Sequence, residues 1–320
     1  MSLDTLLPKL EHPDRTPPAT DLTALSRLEG DDHQRFVNVW RTLSIQRRRD
    51  IIDLLADIAE DNVELDFNNV FLTGVLDDDV QVRAESIKAL WEYEEDDLVA
   101  ILLRLLRDPE AIVRAEAALG LGRYLLRAEI GGRINAPVRE AEAALRALVR
   151  DESELAEVRG RALEAVGVRS EDWVRDMIEE AYESGDRRMS ISAVHAMGRN
   201  ASLEWLPNIL AELESEDAEM RFEAAVAAGG IADEMAIPQL AGLAHDDDAE
   251  VQDAAITALG LIGGPSARSV LQAIAADSSD ERVLEAVSDA LNEADFVEDP
   301  LGFKMHLDQS VADDSEEDDE

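Results

Sequence analysis

The chain repeats itself. The stretch Val113-Arg114-Ala115-Glu116-Ala117-Ala118-Leu119-Gly120-Leu121-Gly122 recurs with substitutions along most of its length. Its first residue is an anchor that returns as Val82, Val113, Val158, Met189, Met220, Val251 and, weakly, Arg282, in steps of 31, 45, 31, 31, 31 and 31 residues. Nine residues past the first six anchors stand Trp91, Gly122, Gly167, Gly198, Gly229 and Gly260. A fixed period of this length marks an array whose unit cannot bury its apolar face alone and must stack on copies of itself.

From each anchor the apolar residues fall at +4, +5 and +8. They are Ala193, Val194 and Met197 after Met189, and Ala255, Ile256 and Leu259 after Val251. That spacing is one face of a 3.6-residue period, so the anchored segment is an amphipathic helix. The +4 place is always small (Ser86, Ala117, Ala162, Ala193, Ala224, Ala255), which suggests the contact between stacked repeats. Asp79, Asp186, Asp217 and Asp248, three residues before their anchors, suit helix N-caps. The glycine at +9 is expected to end the helix. Second helical stretches follow at 97–108, 137–151, 171–183, 203–214, 236–245 and 267–276, with Pro207 and Pro238 near the starts of two. The reading is all-α: a right-handed α–α superhelix, or α-solenoid.

The pattern D-x-x-V-R-x-x-A-[AIV]-x-x-[LM]-G resembles the HEAT repeat, and its short period is similar to the subtype named for phycobilisome lyases. The resemblance covers roughly residues 67 to 292. It implies that the arginine after the anchor (Arg83, Arg114, Arg159, Arg221) joins a structural Asp–Arg ladder between repeats. It also implies that the second helices line a concave surface.

An uninterrupted period argues for one elongated domain in the 320 residues. Residues 1–30, with Pro8, Pro13, Pro17 and Pro18, are expected to form a partly extended arm with one short helix. The solenoid is expected to run over 31–296. It includes N-terminal cap helices in 31–66, near 33–43 and 46–59, and about seven repeats to 292. Residues 297–320 are read as a capping segment (Leu301, Phe303, Met305, Leu307) and a disordered acidic tail. The long step between Val113 and Val158 places an insertion at 128–142, read as a longer loop.

No run approaches the length of an apolar membrane span. The start Met1-Ser2-Leu3-Asp4 lacks a basic and apolar leader, and the absence of cysteine excludes thiolate chemistry and disulfides. A cytoplasmic, monomeric protein is expected. With 72 acids against 30 bases, the net charge of −42 repels nucleic acid over most of the surface.

The five histidines (His12, His33, His195, His245, His306) have no ligand spacing, and none precedes a glutamate. Asp77-Asp78-Asp79 and Asp246-Asp247-Asp248 lack the glycine and distal glutamate of a calcium loop and sit where N-caps are due. Arg47-Arg48-Arg49 reads as a solvated helix face. No catalytic constellation, cofactor site or metal site is expected.

One stretch departs from the acidic background. From Arg104 to Arg175 there are 13 arginines and 13 acids. On the second helices these include Arg104, Arg107, Arg139, Arg146, Arg150 and Arg175, and positions 139, 146 and 150 share a helix face. They are read as a basic stripe that binds an acidic protein segment, or the chain's own acidic tail. The preferred function is a non-enzymatic scaffold that binds another protein along its concave face. The alternatives are tetrapyrrole handling of the phycobilisome-lyase kind, suggested by the repeat subtype, and nucleic-acid binding through the arginines.

Overall fold

The structure, a computed structural model, describes residues 1–12, 17–93 and 95–298. Those residues contain eighteen α-helices, three short 3₁₀ segments and no strand. The fold class is the all-α, right-handed α–α superhelix. The chain forms two compact units, Met1–Ala165 and Val166 onward, taken here one at a time.

The first unit holds α1 (Leu3–Leu10), α2 (Ala19–Leu22), α3 (Gly30–Trp40), α4 (Ile45–Asp61), α5 (Asn68–Gly74), α6 (Val80–Ala89), α7 (Asp96–Leu105), α8 (Ala111–Gly131), α9 (Ala136–Val149) and most of α10 (Ala156–Val166). The second holds α11 (Asp172–Tyr182), α12 (Arg187–Asn200), α13 (Leu206–Glu212), α14 (Ala218–Ile231), α15 (Ile237–Leu243), α16 (Ala249–Ile262), α17 (Gly264–Asp277) and α18 (Glu281–Glu298). From α6 on, even-numbered helices are the anchored ones and odd-numbered helices the second ones.

The anchors are core residues. Val82, Val113 and Val158 are fully buried, as is every small +4 residue from Ser86 to Ala255. The caps form as the sequence suggests: Asp79 accepts from the Val82 amide at 3.1 Å, Asp186 from Met189 at 3.0 Å and Asp217 from Glu219 at 3.1 Å. Each such cap stabilises its helix by about 1 kcal/mol.

Apart from Gly167, which directly follows α10, the +9 glycines do not end their helices. Gly122, Gly198, Gly229 and Gly260 lie inside α8, α12, α14 and α16. Each faces a small residue of the next anchored helix. A Cβ built on Gly122 would lie 2.9 Å from the Cα of Ala165, and one on Gly198 would lie 2.5 Å from the Cα of Ala227. Gly167, Gly229 and Gly260 meet Ala196, Ala258 and Ala290 in the same way. The absence of side chains, not the freedom of φ, is what these positions use. This contact joins successive repeats, whereas the +4 residue Ser86 lies against Gly74 of α5.

Ala290 also fixes the last repeat. Its alanine and its buried valines, Val283 and Val287, place the anchor at Val283, one residue beyond Arg282. Two other expectations change. The N-terminal arm is helical and packed, with Leu3, Leu6, Leu7, Leu10, Leu22, Leu25 and Leu28 buried. The insertion is mostly helix: α8 continues to Gly131, Gly132 takes φ +62°, and α9 starts at Ala136. The capping segment and acidic tail expected beyond residue 298 lie outside the described residues.

Within the second unit α12, α14, α16 and α18 pack tightly on one another through the glycine–alanine contacts, while α13, α15 and α17 touch one another much less.

Candidate functional site

The charged runs that invite a ligand reading are partners of each other. Arg48 reaches Asp77 at 3.2 Å and Asp78 at 2.7 Å, and Arg49 grips Asp79 with two bonds of 2.8 and 2.6 Å. Arg47 donates to the His12 carbonyl at 3.0 Å. Arg47 and Arg48 are buried, so the run is not a solvated face. Asp77 also accepts from the Trp40 indole at 2.7 Å, and burial pushes its carboxyl above the usual range. Among the described residues no group of acids and histidines is arranged to hold a metal ion.

The arginines one residue past the anchors reach toward the next turn. Arg83 donates to Asp108 at 2.8 Å, Arg114 grips Glu154 with two bonds of 2.7 Å, and Arg221 grips Asp246 with bonds of 2.8 and 2.9 Å. Arg159 instead donates to the Val149 carbonyl at 3.0 Å. The bond from Arg114 holds Glu154 below the usual carboxylate range, and that from Arg221 does the same to Asp246.

The six arginines of the basic stripe are not brought together. Arg104 and Arg107 line a groove of about 530 Å³ between α7 and α9, where Glu140, Asp151 and Glu154 line it with them. Arg139, Arg146 and Arg150 lie on another side of α9, because Glu140, Ala144 and Asp151 turn toward α7 and Val138, Ala141, Leu145 and Val149 turn inward. Arg139 donates to the Ile134 carbonyl at 3.0 Å. Arg175 belongs to the second unit, within 4.0 Å of Asp172 and 3.7 Å of Glu204. Spacing on one helix put three of them on one face, but packing put acids beside the others.

On α14 and α16 the +6 and +10 residues, Val226, Gly230, Thr257 and Leu261, are exposed. Two polar bridges link +6 of one repeat to +3 of the next. Lys88 approaches Glu116 at 3.9 Å in the first unit, and His195 Nδ1 lies 2.9 Å from Glu223 in the second. Burial raises the Glu116 carboxyl. One repeat further, the corresponding residues are Val226 and Ala254, which cannot bridge. A groove of about 550 Å³ opens there between α14 and α16, lined by Phe222, Val226, Ala254, Thr257, Ala258 and Leu261, with Glu250 and Asp253 among its walls. Val226 is 41% exposed and Leu261 39%. From the sequence the +6 place, so variable in type, reads as half-exposed surface, and nothing there marks a groove. The available signal was the change of type at +6, from Lys88 and His195 to Val226.

Comparison with known proteins places the chain among repeat proteins. A family model described as HEAT repeats matches residues 69–130 and 206–292. A comparison with curated protein sequences finds no match. Among solved structures, the complex of CpcE and CpcF of phycocyanin lyase from Nostoc sp. PCC7120 is similar at 15% identity and a TM-score of 0.56, over 82% of this chain and 98% of that one. Yeast importin-beta (Kap95p) is similar at 13% identity and a TM-score of 0.47, over 91% of this chain and 46% of that one. Human deoxyhypusine hydroxylase matches at 20% identity and a TM-score of 0.32, over 92% and 96%. At 15% identity the likeness to the lyase complex concerns the fold alone.

Proposed function

The chain is a HEAT-repeat protein, and from that premise we propose that it is a non-catalytic scaffold that binds another protein along the anchored-helix row. The observation that supports this reading is the α14–α16 groove, where apolar side chains stand exposed at a place that polar bridges occupy in two other repeats. Exposed apolar surface of this kind, rimmed by charge, suits a protein contact. The side chains gathered there are Phe, Val, Ala, Thr and Leu with two carboxylates. They suit burial of a partner's apolar anchor.

The reading is tested by crosslinked capture from the native host, comparing wild-type chain with Val226→Asp/Leu261→Asp. Both sites are exposed, so the double variant should fold, which circular dichroism checks. A partner crosslinked to peptides of α14 and α16 in wild type, and lost from the variant, supports the reading. Equal capture by both overturns this face as the binding surface. A visible absorbance band that co-purifies with the wild-type chain would favour the tetrapyrrole alternative instead.

A further inference from the structure

The groove between α14 and α16 has a charge setting that identifies the kind of partner segment it fits. From residue 200 to residue 262 there are fourteen acids and one base, Arg221. That base donates from Nε and Nη2 to Asp246 and from Nη1 to the Ser215 carbonyl. Of the groove's own lining, Glu250 is exposed and Asp253 half-buried. Asp253 accepts from Arg282, which also reaches Gln252, so Arg282 is the cation that abuts the groove and it is already engaged. Glu223, the neighbour of Phe222, is held by His195. Glu250 is left facing solvent beside an apolar floor.

We propose that the groove docks a basic amphipathic segment of another protein, with its apolar side chains on Phe222, Val226, Thr257 and Leu261 and its lysines or arginines beside Glu250 and Asp253. This rests on the scaffold reading and adds the sign of the partner. Two independent features carry it. The polar bridge that closes this position in two other repeats is replaced by Val226 and Ala254, which creates the apolar floor. The excess of acids in the 200–262 stretch that carries the groove, with Arg282 the cation beside it, repels an acidic segment and attracts a basic one at ranges up to a Debye length. An acidic partner, the choice drawn from the arginine stripe, meets the wrong field here.

The test uses the full chain and three fluorescein-labelled 16-residue peptides with leucines at helical spacing. Their polar positions are all lysine, all glutamine or all glutamate, and binding is read by anisotropy at about 0.15 M salt. The lysine peptide is expected to bind at least about tenfold more tightly than the glutamine peptide, and the glutamate peptide to show no binding. Val226→Lys/Thr257→Lys should weaken the lysine peptide by about tenfold or more, while Asp176→Asn/Glu179→Gln on α11, the same change of two charges elsewhere, should shift it less than about twofold. Circular dichroism confirms that both variants are folded.

If lysine and glutamine peptides bind alike and both are lost in the groove variant, the basic character is wrong and the scaffold reading stands. Equal weakening by the two double variants would mean diffuse attraction to an acidic surface and overturn the groove as the site. Failure of all three peptides to bind would overturn the groove as a site for such a segment, while the scaffold reading is decided by the crosslinked capture.

Discussion

A side chain on Gly198 would have to share space with Ala227: a Cβ built there falls 2.5 Å from the Cα of the next repeat's alanine. Backbone, not a movable side chain, is what it meets. The helix-propensity gain of Ala over Gly, about 1 kcal/mol, is therefore outweighed by overpacking that costs about 2–3 kcal/mol. Gly198→Ala should lower stability in urea unfolding. Gly242→Ala is the contrast, since it lies inside α15 with nothing within 4 Å of the new Cβ and should stabilise by up to about 1 kcal/mol. If both glycines behave alike, the glycine–alanine contact does not join the repeats.

Much of this architecture is legible from residue spacing alone, because buried anchors and capping aspartates are local features of one helix. The roles of Gly198 and Ala227 are not. A glycine that ends a helix and one that admits a neighbour's backbone look identical in sequence, and the deciding atoms lie in the next repeat. The same holds for the arginines. Spacing places Arg139, Arg146 and Arg150 on one face, but which face turns toward α7 is set by the burial of Val138, Ala141, Leu145 and Val149. The groove at Val226 and Leu261 is not legible for a related reason: the +6 place reads as half-exposed surface, but only packing shows that these two side chains line one groove between α14 and α16.

Ser86 stands where the later anchored helices carry alanine. Its side chain is fully buried and its hydroxyl has no hydrogen-bond partner. A buried polar group without a partner costs about 1–3 kcal/mol, so Ser86→Ala should stabilise the protein, by about 1 kcal/mol once the lost contacts of the oxygen are counted. Chemical denaturation reads the shift. A loss of stability would mean that the hydroxyl is satisfied in solution.

Arg221 and Asp246 make the stability of the second unit depend on pH. The bonds from Arg221 hold the Asp246 carboxyl below its ordinary value. A carboxyl lowered by folding contributes stability that is fully present above its unfolded pKa, about 3.9, and lost as pH falls through the folded value. Arg221→Met leaves a nearly buried carboxylate without its cation and should cost about 2–3 kcal/mol at pH 7. The difference from wild type should shrink below about pH 4 as Asp246 becomes neutral in both proteins. A penalty of the same size at pH 7 and pH 3.5 would assign the effect to lost packing of the arginine stem.

The tyrosines set the alkaline limit. Burial, with help from Asp97, pushes Tyr93 up to about 12, and burial with Glu212 pushes Tyr182 up to about 12. Burial raises Tyr124 as well, and its hydroxyl donates to the carbonyls of Tyr93 at 3.0 Å and Glu95 at 3.1 Å. Groups raised in the folded state contribute stability that is complete below their unfolded pKa, about 10, and lost as pH climbs through the folded value. Absorbance at the tyrosinate band should therefore stay low at pH 10.5, where free tyrosine is mostly ionised, and rise together with loss of helical circular dichroism between about pH 10 and 12. Tyr182→Phe removes the 2.6 Å bond to Glu212 and one of the three ionising groups, so the remaining absorbance step should fall by about a third. A tyrosine that titrates near pH 10 while the helices remain intact would show that at least one of these hydroxyls faces water.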